Sequence, residues 1–436
     1  MDRFEIGLVG IASALTLIML KVPVGVVLAI VSFGGIWAVL NINAALGMLS
    51  AIPYRFVANW SFSAVPMFLL MGYIASHAGL TSGLFRFARL LLHKVPGALA
   101  CSTVGASALF AAASGSSVAT AAAMSKIAIP EMRKLKYDDA LSAGCVSAAG
   151  TLGSMIPPSV LLIIYGVFTQ QPIGKLFIAG ILPGVLTAVV YMIGIVIRVK
   201  LKPELAPNST TPRKPGELLG SLVEVWLLPI LILGVIGGIF TGIMTSTEAG
   251  AVGASLAILI AVTRGTFNVR MLFSAVRDTA LGTSSIFIIA MGASMFTTFM
   301  GLAGLPSQLA SWVSMIDLSA LTLILLVTLI YLVLGCFIES MGVMLLTLPF
   351  LIPLAEETGI DMIWFGILIV KLLEIGLITP PFGLNNYIIH SSMRGAIPLV
   401  TIFRGVSWFV VFELLVLAML IAFPAIALWL PSLMQR

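Results

Sequence analysis

The chain has 436 residues, of which 60% are hydrophobic and 9% are charged, and its mean hydropathy is +1.16. A soluble domain has too little polar surface to cover so much apolar content, so the composition excludes that class and predicts a polytopic membrane protein. The formal net charge of +6 comes mostly from residues in predicted loops. The distribution of these basic residues over the loops therefore indicates orientation in the membrane, and the charge does not indicate nucleic-acid binding.

The apolar runs of the first half predict helices of about 18 residues or more, the length that crosses a hydrocarbon core. The first run, Ile6 to Leu20, follows the acidic Asp2 and Glu5 and has no small-residue cleavage site after it, which favours a retained span over a signal peptide. The predicted elements are spans at 5–22, 24–40 and 63–80, an amphipathic piece at 82–94, a segment at 97–130, a broken span at 138–168 and a span at 177–197.

Segment 97–130 has the sequence Ser114-Gly115-Ser116-Ser117 at its centre. Serine and glycine clusters favour turns and helix caps over helix interiors. Two half-helices that meet at this cluster would form a re-entrant hairpin, which enters and leaves the membrane on one side. The alternative is one continuous helix of small residues that packs tightly on its neighbours.

The broken span 138–168 contains "GTLGSMIPPS" at 150–159. Proline has no amide donor and clashes with the preceding turn, so the pair Pro157-Pro158 opens the helix and leaves carbonyls without helical partners. In hydrocarbon such carbonyls need other ligands. The sequence therefore predicts a discontinuous helix with free carbonyl oxygens near its break.

A polar segment, 198–221, is the only evident linker, and after it the same order of elements returns. The predicted elements of the second half are spans at 222–240, 246–263 and 279–301, an arm at 303–317, a segment at 320–353, a broken span at 361–390 and a last span at 405–430.

Four landmarks of the two halves align without a gap at an offset of 223 residues, and upstream motifs align at 220 and 222. The offset of 223 superposes the proline pair at 157–158 on the pair at 380–381, and it also superposes Gly153 on Gly376 and Ser117 on Ser340. The chain therefore divides into a first repeat, 1–197, the linker 198–221 and a second repeat, 222–436.

Charge distribution decides between hairpins and full spans. If 97–130 and 320–353 are hairpins, each repeat crosses the membrane five times, and the repeats are inverted relative to each other. With the N-terminus outside, eighteen basic residues then fall on the cytoplasmic side and four outside. This asymmetry agrees with the positive-inside rule and favours the hairpins, with both termini outside and the linker in the cytoplasm.

Inverted repeats with paired hairpins and paired broken helices are typical of secondary transporters, whose binding site lies between the repeats. Half-helix N-termini at the hairpin tips suit a substrate carboxylate, and freed carbonyls with nearby hydroxyls suit Na⁺. The predicted substrate-binding residues lie at the tips and after the second proline pair: Ser116, Ser117, Glu339, Ser340 and Asn385.

Few ionisable residues lie deep in the predicted spans, and each has a structural as well as a transport interpretation. Lys371 and Glu374, three residues apart, could pair on one helix face. Glu339 could cap the second hairpin, and Glu248 is expected near the outer interface. The residues alone favour structural roles.

Four stretches together resemble the large membrane subunit of tripartite ATP-independent periplasmic (TRAP) transporters, and the similarity extends over essentially the whole chain. They are "AAASGSSVATAAAMSKIAIPEM" at 111–132, "GTLGSMIPPSVLLIIYG" at 150–166, "GCFIESMGVMLLTLPFLIPL" at 335–354 and "EIGLITPPFGLNNYII" at 374–389. The resemblance implies an importer in a bacterial inner membrane, driven by Na⁺ and specific for an organic acid such as a sialic acid or a C4-dicarboxylate.

The resemblance also implies partners and a mechanism. The partners would be a separate four-helix membrane subunit and a periplasmic substrate-binding protein. The hairpins and broken helices would move as an elevator against a scaffold formed by 5–40 and 222–263, with 82–94 and 303–317 as connecting surface helices. Both termini would face the periplasm, and two or more Na⁺ would be transported with each substrate.

Two sodium sites follow from the resemblance, position by position. The first would use Ser114, Ser117, Gly153, Ile156 and Ser159, and the second Gly335, Gly376, Thr379 and Phe382. Most of the ligands would be main-chain carbonyls. At the second tip, Ile338-Glu339 replaces Gly115-Ser116 of the first, so the resemblance leaves open an unequal contribution of the two tips.

Two other functions are compatible with the pattern. One is a self-sufficient sodium/carboxylate symporter of related hairpin architecture, which needs no binding protein. The other is a membrane scaffold without transport activity, in which the matched breaks serve packing alone.

Overall fold

A computed structural model describes residues 2–81, 83–207, 216–315 and 318–434. Within these ranges every regular element is a helix and no strand is present. Six helices are long and apolar enough to cross a membrane, and the number rises to nine if each bent helix pair forms one span. The prediction of an all-α polytopic membrane protein is confirmed.

The first repeat contains eleven α-helices in its described residues. They are α1 (Arg3–Met19), α2 (Val24–Val39), α3 (Ile42–Val57), α4 (Ala64–His77), α5 (Leu84–Leu91), α6 (Ala98–Ser114), α7 (Ser117–Lys134), α8 (Asp139–Gly150), α9 (Leu152–Met155), α10 (Val160–Phe168) and α11 (Ile173–Leu201).

The second repeat and the end of the linker add the remaining helices. They are α12 (Glu217–Val225), α13 (Leu227–Phe240), α14 (Ser246–Thr263), α15 (Val269–Ala303), α16 (Leu305–Met315), α17 (Ala320–Phe337), α18 (Ser340–Glu357), α19 (Met362–Ile378), α20 (Leu384–Ser392), α21 (Leu399–Ala422) and α22 (Ala425–Ser432). Linker residues 208–215 and the last two residues of the predicted arm, 316–317, lie outside the described residues.

Helix bounds recur between the two halves at the predicted offset. Helix α18 begins and ends 223 residues after α7, and α19 spans the positions 223 residues after α8 and α9 together. The second broken helix differs from the first, since its unwound part, 379–383, follows a single uninterrupted helix. The duplication seen in the sequence therefore extends to the helices on both sides of each break.

Helix α3 is absent from the predicted elements, which leave 41–62 between two spans. It begins at the cap Asn41, whose side chain accepts a hydrogen bond from the Ala44 amide at 2.9 Å, and it meets the α4 segment at a bend of 55°. Its counterpart is the N-terminal part of α15, a continuous helix of 35 residues. The predicted span 279–301 covers only part of α15.

Both predicted hairpins consist of two helices that fold back on each other. In the second, the hydroxyls of Tyr331 in α17 and Thr347 in α18 lie 2.6 Å apart. In the first, the Leu99 amide at the start of α6 donates to the hydroxyl of Tyr137, just beyond the end of α7, at 3.4 Å. Contacts between residues far from the tip require antiparallel helices. The position of the hairpins relative to the membrane surfaces stays a prediction.

The short amphipathic helix α5 connects the two halves of the chain. Its Arg86 lies 3.6 Å from Glu217 in α12, and its Arg89 lies 3.9 Å from Glu131 in α7, while Leu84, Phe85 and Ala88 are buried. Because these ion pairs are exposed, each contributes little to stability. The apolar face anchors the helix, and the arginines orient it.

Candidate functional site

The first hairpin tip rests on the first broken helix through glycines. Gly115 has φ +62°, and its carbonyl accepts a hydrogen bond from the Val160 amide at 3.3 Å. A Cβ on Gly153 would lie 2.5 Å from the carbonyl carbon of Ser116. The backbones approach this closely only because both positions lack a side chain.

The second tip and second break meet in the same way. A Cβ on Gly376 would lie 2.7 Å from the Cα of Gly335. The rings of Phe337 and Phe382, one from each segment, have centroids 5.5 Å apart. The structure thus brings together three of the four residues predicted for the second sodium site. The fourth, Thr379, caps the end of α19 and donates its hydroxyl to the Ile375 carbonyl at 2.7 Å.

Both tips face one cavity of about 320 Å³, which we call the central cavity. Residues 114–119 of the first hairpin and 339–341 of the second line it, together with Ser154 and Glu374. Residues of α4 and α15, including Tyr73, Ser76 and Gly282, form the rest of the wall. The cavity therefore lies between the repeats, as the sequence predicts for a binding site.

Glu374 joins the two repeats at the cavity. Its Oε2 accepts a hydrogen bond from the Ser117 hydroxyl at 2.5 Å, and that hydroxyl lies 2.8 Å from the Ser154 hydroxyl. Its Oε1 is buried, with no hydrogen-bond partner among the described residues. A buried carboxylate oxygen without a donor is costly, so this position suits a cation from outside the chain.

Lys371 and Glu374 do not pair with each other, so that alternative is wrong. The Lys371 ammonium instead contacts Glu413 of α21 and donates to the Thr187 hydroxyl at 2.9 Å. Glu413 also accepts a hydrogen bond from the Tyr191 hydroxyl. Lys371 therefore has a structural partner on another helix, which leaves Glu374 free to face the cavity.

Of the other acidic residues, Glu248 has a structural role and Glu339 does not cap its helix. Glu248 forms a capping box at the start of α14, where its carboxylate accepts from the Thr245 amide at 2.8 Å. Glu339 occupies the N-cap position of α18 without a side-chain cap bond and lines the central cavity. Next to it, the buried Ser340 hydroxyl has no partner among the described residues.

Three of the predicted serines are engaged in local hydrogen bonds. The hydroxyls of Ser114 and Thr120 lie 3.0 Å apart. Ser116 caps α7 by accepting from the Ala119 amide at 3.4 Å, and Ser159 caps α10 by accepting from the Leu162 amide at 3.3 Å. Ser114 and Ser116 line the cavity, and Ser159 lies immediately before the lining residue Val160.

Asn385 and Ile156 are among the predicted residues that do not line the cavity. Asn385 is fully buried and donates to the Ser147 carbonyl in α8 at 3.3 Å. Ile156 directs its side chain at Gly184 of α11. The Asn385 amide nitrogen therefore links α20 to α8, while its buried Oδ1 has no hydrogen-bond partner among the described residues.

Sequence reasoning missed Ser154 and Glu413. Ser154 follows Gly153 in the sequence just before the first proline pair. This position beside the break was the signal that could have revealed it. Glu413 is an acidic residue in an otherwise apolar predicted span, and this was the signal that could have revealed it.

The central cavity combines negative side chains with the positive ends of helix dipoles. Helices α7 and α18 both begin at its wall, where free amides favour an anion. None of the described residues that line it is Lys, Arg or His. Hydroxyl and carboxylate oxygens remain, and these suit a hard cation of the alkali type.

The fold and the site define a polytopic membrane protein with a small cavity between duplicated hairpins. Residues 11–426 match the family model of the tripartite ATP-independent periplasmic transporter, DctM component. The chain belongs to this family, and it is therefore a transporter component.

Similar proteins include two large permeases of nearly equal identity. The chain is 35% identical to the sialic acid TRAP transporter large permease protein SiaM of Vibrio cholerae, over 86% of this chain and 87% of that protein. It is 36% identical to the C4-dicarboxylate TRAP transporter large permease protein DctM of Pseudomonas aeruginosa, over 86% and 87%.

Among solved structures, the YdaH transporter of Alcanivorax borkumensis shares the fold. It matches with a TM-score of 0.62 at 13% identity, over 88% of this chain and 90% of that one. MtrF of Neisseria gonorrhoeae matches with a TM-score of 0.59 at 15% identity, over 88% and 85%. At such low identity the likeness concerns the fold alone.

Proposed function

We propose that this chain is the sodium-coupled large permease of a three-part importer of an organic acid in a bacterial inner membrane. The observation that carries the proposal is the central cavity, which both hairpin tips and the buried Glu374 line and in which Ser117 of the first tip donates to the Glu374 carboxylate. The carboxylate attracts a cation and the helix N-termini at the tips attract an anion. Symport of a cation with an anion requires both.

Sodium coupling is supported by the oxygen atoms that the fold leaves without donors. The Oε1 of Glu374 and the hydroxyl of Ser340 are buried and unpartnered among the described residues, and both belong to lining residues of the cavity. A sodium ion near Glu374 would satisfy its carboxylate and would also reduce the repulsion of an incoming anion. Binding of the cation would thus favour binding of the substrate.

The substrate is a carboxylate in this proposal, and the amides at the starts of α7 and α18 bind it. The substrates in the names of the relatives are sialic acid and C4-dicarboxylates. Because the two identities differ by one percentage point, similarity does not favour either substrate. Both classes carry the carboxylate that the helix N-termini require.

The proposed partners are a small four-helix membrane subunit and a periplasmic protein that delivers the substrate. Their support is the family description, which is tripartite and periplasmic. The hairpins and broken helices would move as one body, and 5–40 and 222–263 would remain fixed. The N- and C-termini would lie in the periplasm, and 198–221 in the cytoplasm.

Reconstitution tests this proposal directly. The chain is inserted into proteoliposomes with and without the small subunit, and uptake of labelled substrate is measured with and without the loaded binding protein. Uptake is expected only with all three components and an inward Na⁺ gradient, and it should stop when choline replaces Na⁺. Uptake by this chain alone would support the self-sufficient symporter, and undiminished uptake in choline would reject sodium coupling.

A further inference from the structure

A second cavity, of about 370 Å³, opens between α11 and α21. We call it the α11–α21 wedge. Gly194 and Arg198 of α11 line it with Lys202, the residue that follows α11, and Arg404, Trp408 and Phe412 line it from α21. Because residues four positions apart share a helix face, Gly194 and Arg198 lie on one face of α11, and Arg404, Trp408 and Phe412 lie on one face of α21.

The wedge narrows at one end and opens at the other. At its narrow end a Cβ on Gly194 would overlap the ring of Phe412, so the helices touch there. At its open end lie Lys202, beyond the last residue of α11, and Arg404, in the first turns of α21. Basic residues near these helix ends are predicted to face the cytoplasm.

The wedge carries a positive charge that the described chain does not neutralise. Arg198, Lys202 and Arg404 form no ion pair with any described residue. The carboxylate on the wall, Asp138, caps α8 by accepting from the Leu141 amide at 2.8 Å. Three cations therefore face one carboxylate.

Arg198 has an orphaned donor inside the wedge. Its guanidinium lies 5.2 Å from the ring centroid of Trp408, and its Nη1 is buried without a hydrogen-bond partner in the described chain. A buried guanidinium nitrogen without an acceptor is costly. An external anion with oxygen acceptors would satisfy it, and a phosphate suits the planar fork of arginine.

Apolar side chains flank the cations on the lipid-facing surface. Ile197 is 53% exposed, Leu201 77% and Trp408 52%, and all three line the wedge. Tryptophan typically lies at the headgroup level of a bilayer. A free anion would leave this apolar surface uncovered, whereas the acyl chain of a lipid would cover it.

We propose that the α11–α21 wedge binds an anionic phospholipid of the inner leaflet, with its phosphate at Arg198 and Arg404 and an acyl chain along Ile197 and Leu201. Basic pockets between membrane helices on the cytoplasmic side are suited to such headgroups. The site is separate from the central cavity, and the proposal does not depend on the transported substrate.

Lipid binding to the delipidated full-length chain in detergent tests the proposal, with native mass spectrometry as the readout. Phosphatidylglycerol should bind to the wild type more tightly than phosphatidylcholine with the same acyl chains. The double variant R198Q/R404Q should lose about 25-fold in affinity for phosphatidylglycerol, since each cation near an anionic lipid contributes roughly five-fold. Lys202→Gln, at an exposed position, should lose about five-fold without affecting the fold.

The matched control is R270Q/R277Q, which removes two exposed arginines of α15 on the same predicted side and should leave binding unchanged. Equal binding of the two lipids by the wild type, or equal loss in the control, would overturn the proposal. So would saturation of the site by inorganic phosphate with the affinity of the lipid, because the apolar surface would then contribute nothing.

Discussion

Glu374 is the residue at which the two repeats make polar contact across the central cavity. It lies in α19 of the second repeat and accepts a hydrogen bond from Ser117 of the first at 2.5 Å. One of its carboxylate oxygens has no partner in the described chain. A second donor would stabilise a purely structural carboxylate, and the free oxygen is instead available to the cation that we propose.

Glu374→Gln should weaken sodium coupling more than it weakens folding. Glutamine keeps the shape and can still bond Ser117, but it removes the negative charge that attracts the cation. We expect the Na⁺ concentration for half-maximal uptake to rise about ten-fold or more, equivalent to about 1.4 kcal/mol. Sodium titration of uptake in the complete reconstituted system measures this change.

The matched control for this variant is Glu356→Gln, which removes an exposed carboxylate at the end of α18. Its sodium dependence should match that of the wild type. If the two variants behave alike, Glu374 does not bind the transported cation.

Lys371 and Glu413 form a buried ion pair whose partners have 2% and 0% side-chain exposure. Removing one partner leaves an uncompensated charge, at a cost of about 3–5 kcal/mol. Lys371→Met should therefore lower the apparent Tm in detergent substantially, and K371M/E413M should recover much of that loss. A double variant as unstable as the single one would show that the unpaired charge of Glu413 is not the cause of the loss.

The sequence could not reveal these pairings, because it shows spacing along one helix and not the helices that pack against it. Lys371 and Glu374 are close enough in sequence to pair, yet α21 supplies Glu413 to one and α7 supplies Ser117 to the other. The tips and breaks were predictable for the opposite reason. Glycine, serine and proline act on their local backbone, and their effect is visible in the sequence.

At the scale of elements, each hairpin tip is held against its broken helix by glycine. Gly153 and Gly376 are equivalent by the offset of 223, and each lies against its own hairpin tip, Gly153 at Ser116 and Gly376 at Gly335. Helix α3 could not be predicted from local residues in this way. The stretch 42–57 is weakly apolar and shorter than a span, and it has no break that identifies it. Its counterpart within α15 became evident only from the structure.

Gly376→Ala should displace the second tip. The new methyl group would lie 2.7 Å from the Cα of Gly335, and backbone atoms cannot yield as a flexible side chain can. Overpacking of this kind costs about 1–3 kcal/mol, so we expect uptake to fall at least ten-fold while the protein still inserts into the membrane. Uptake and membrane abundance are measured in the same cells.

Gly237→Ala is the control for the second tip, because a Cβ added to this residue of α13 would have no other atom within 4 Å. Alanine favours the helix by up to about 1 kcal/mol over glycine, so uptake by this variant should equal that of the wild type. Full activity of Gly376→Ala would show that the close approach of tip and break is not needed for transport.

At the scale of the whole molecule, the duplicated helices raise the question of relative orientation. An odd number of crossings in each repeat inverts the second repeat, and an even number makes the two parallel. The distribution of basic residues favours inversion. Equivalent points of the two repeats should then lie on opposite sides of the membrane.

Cysteine labelling at the start of the last long helix of each repeat tests the inversion. Lys175 at the start of α11 and Arg394 before α21 are both exposed, and the native Cys101, Cys145 and Cys336 are buried, which keeps the background low. An impermeant maleimide added to intact spheroplasts should label Lys175→Cys. It should label Arg394→Cys only in inverted vesicles. Labelling of both variants from one side would establish parallel repeats, and the central cavity would then lack the symmetry on which alternating access between the two faces depends.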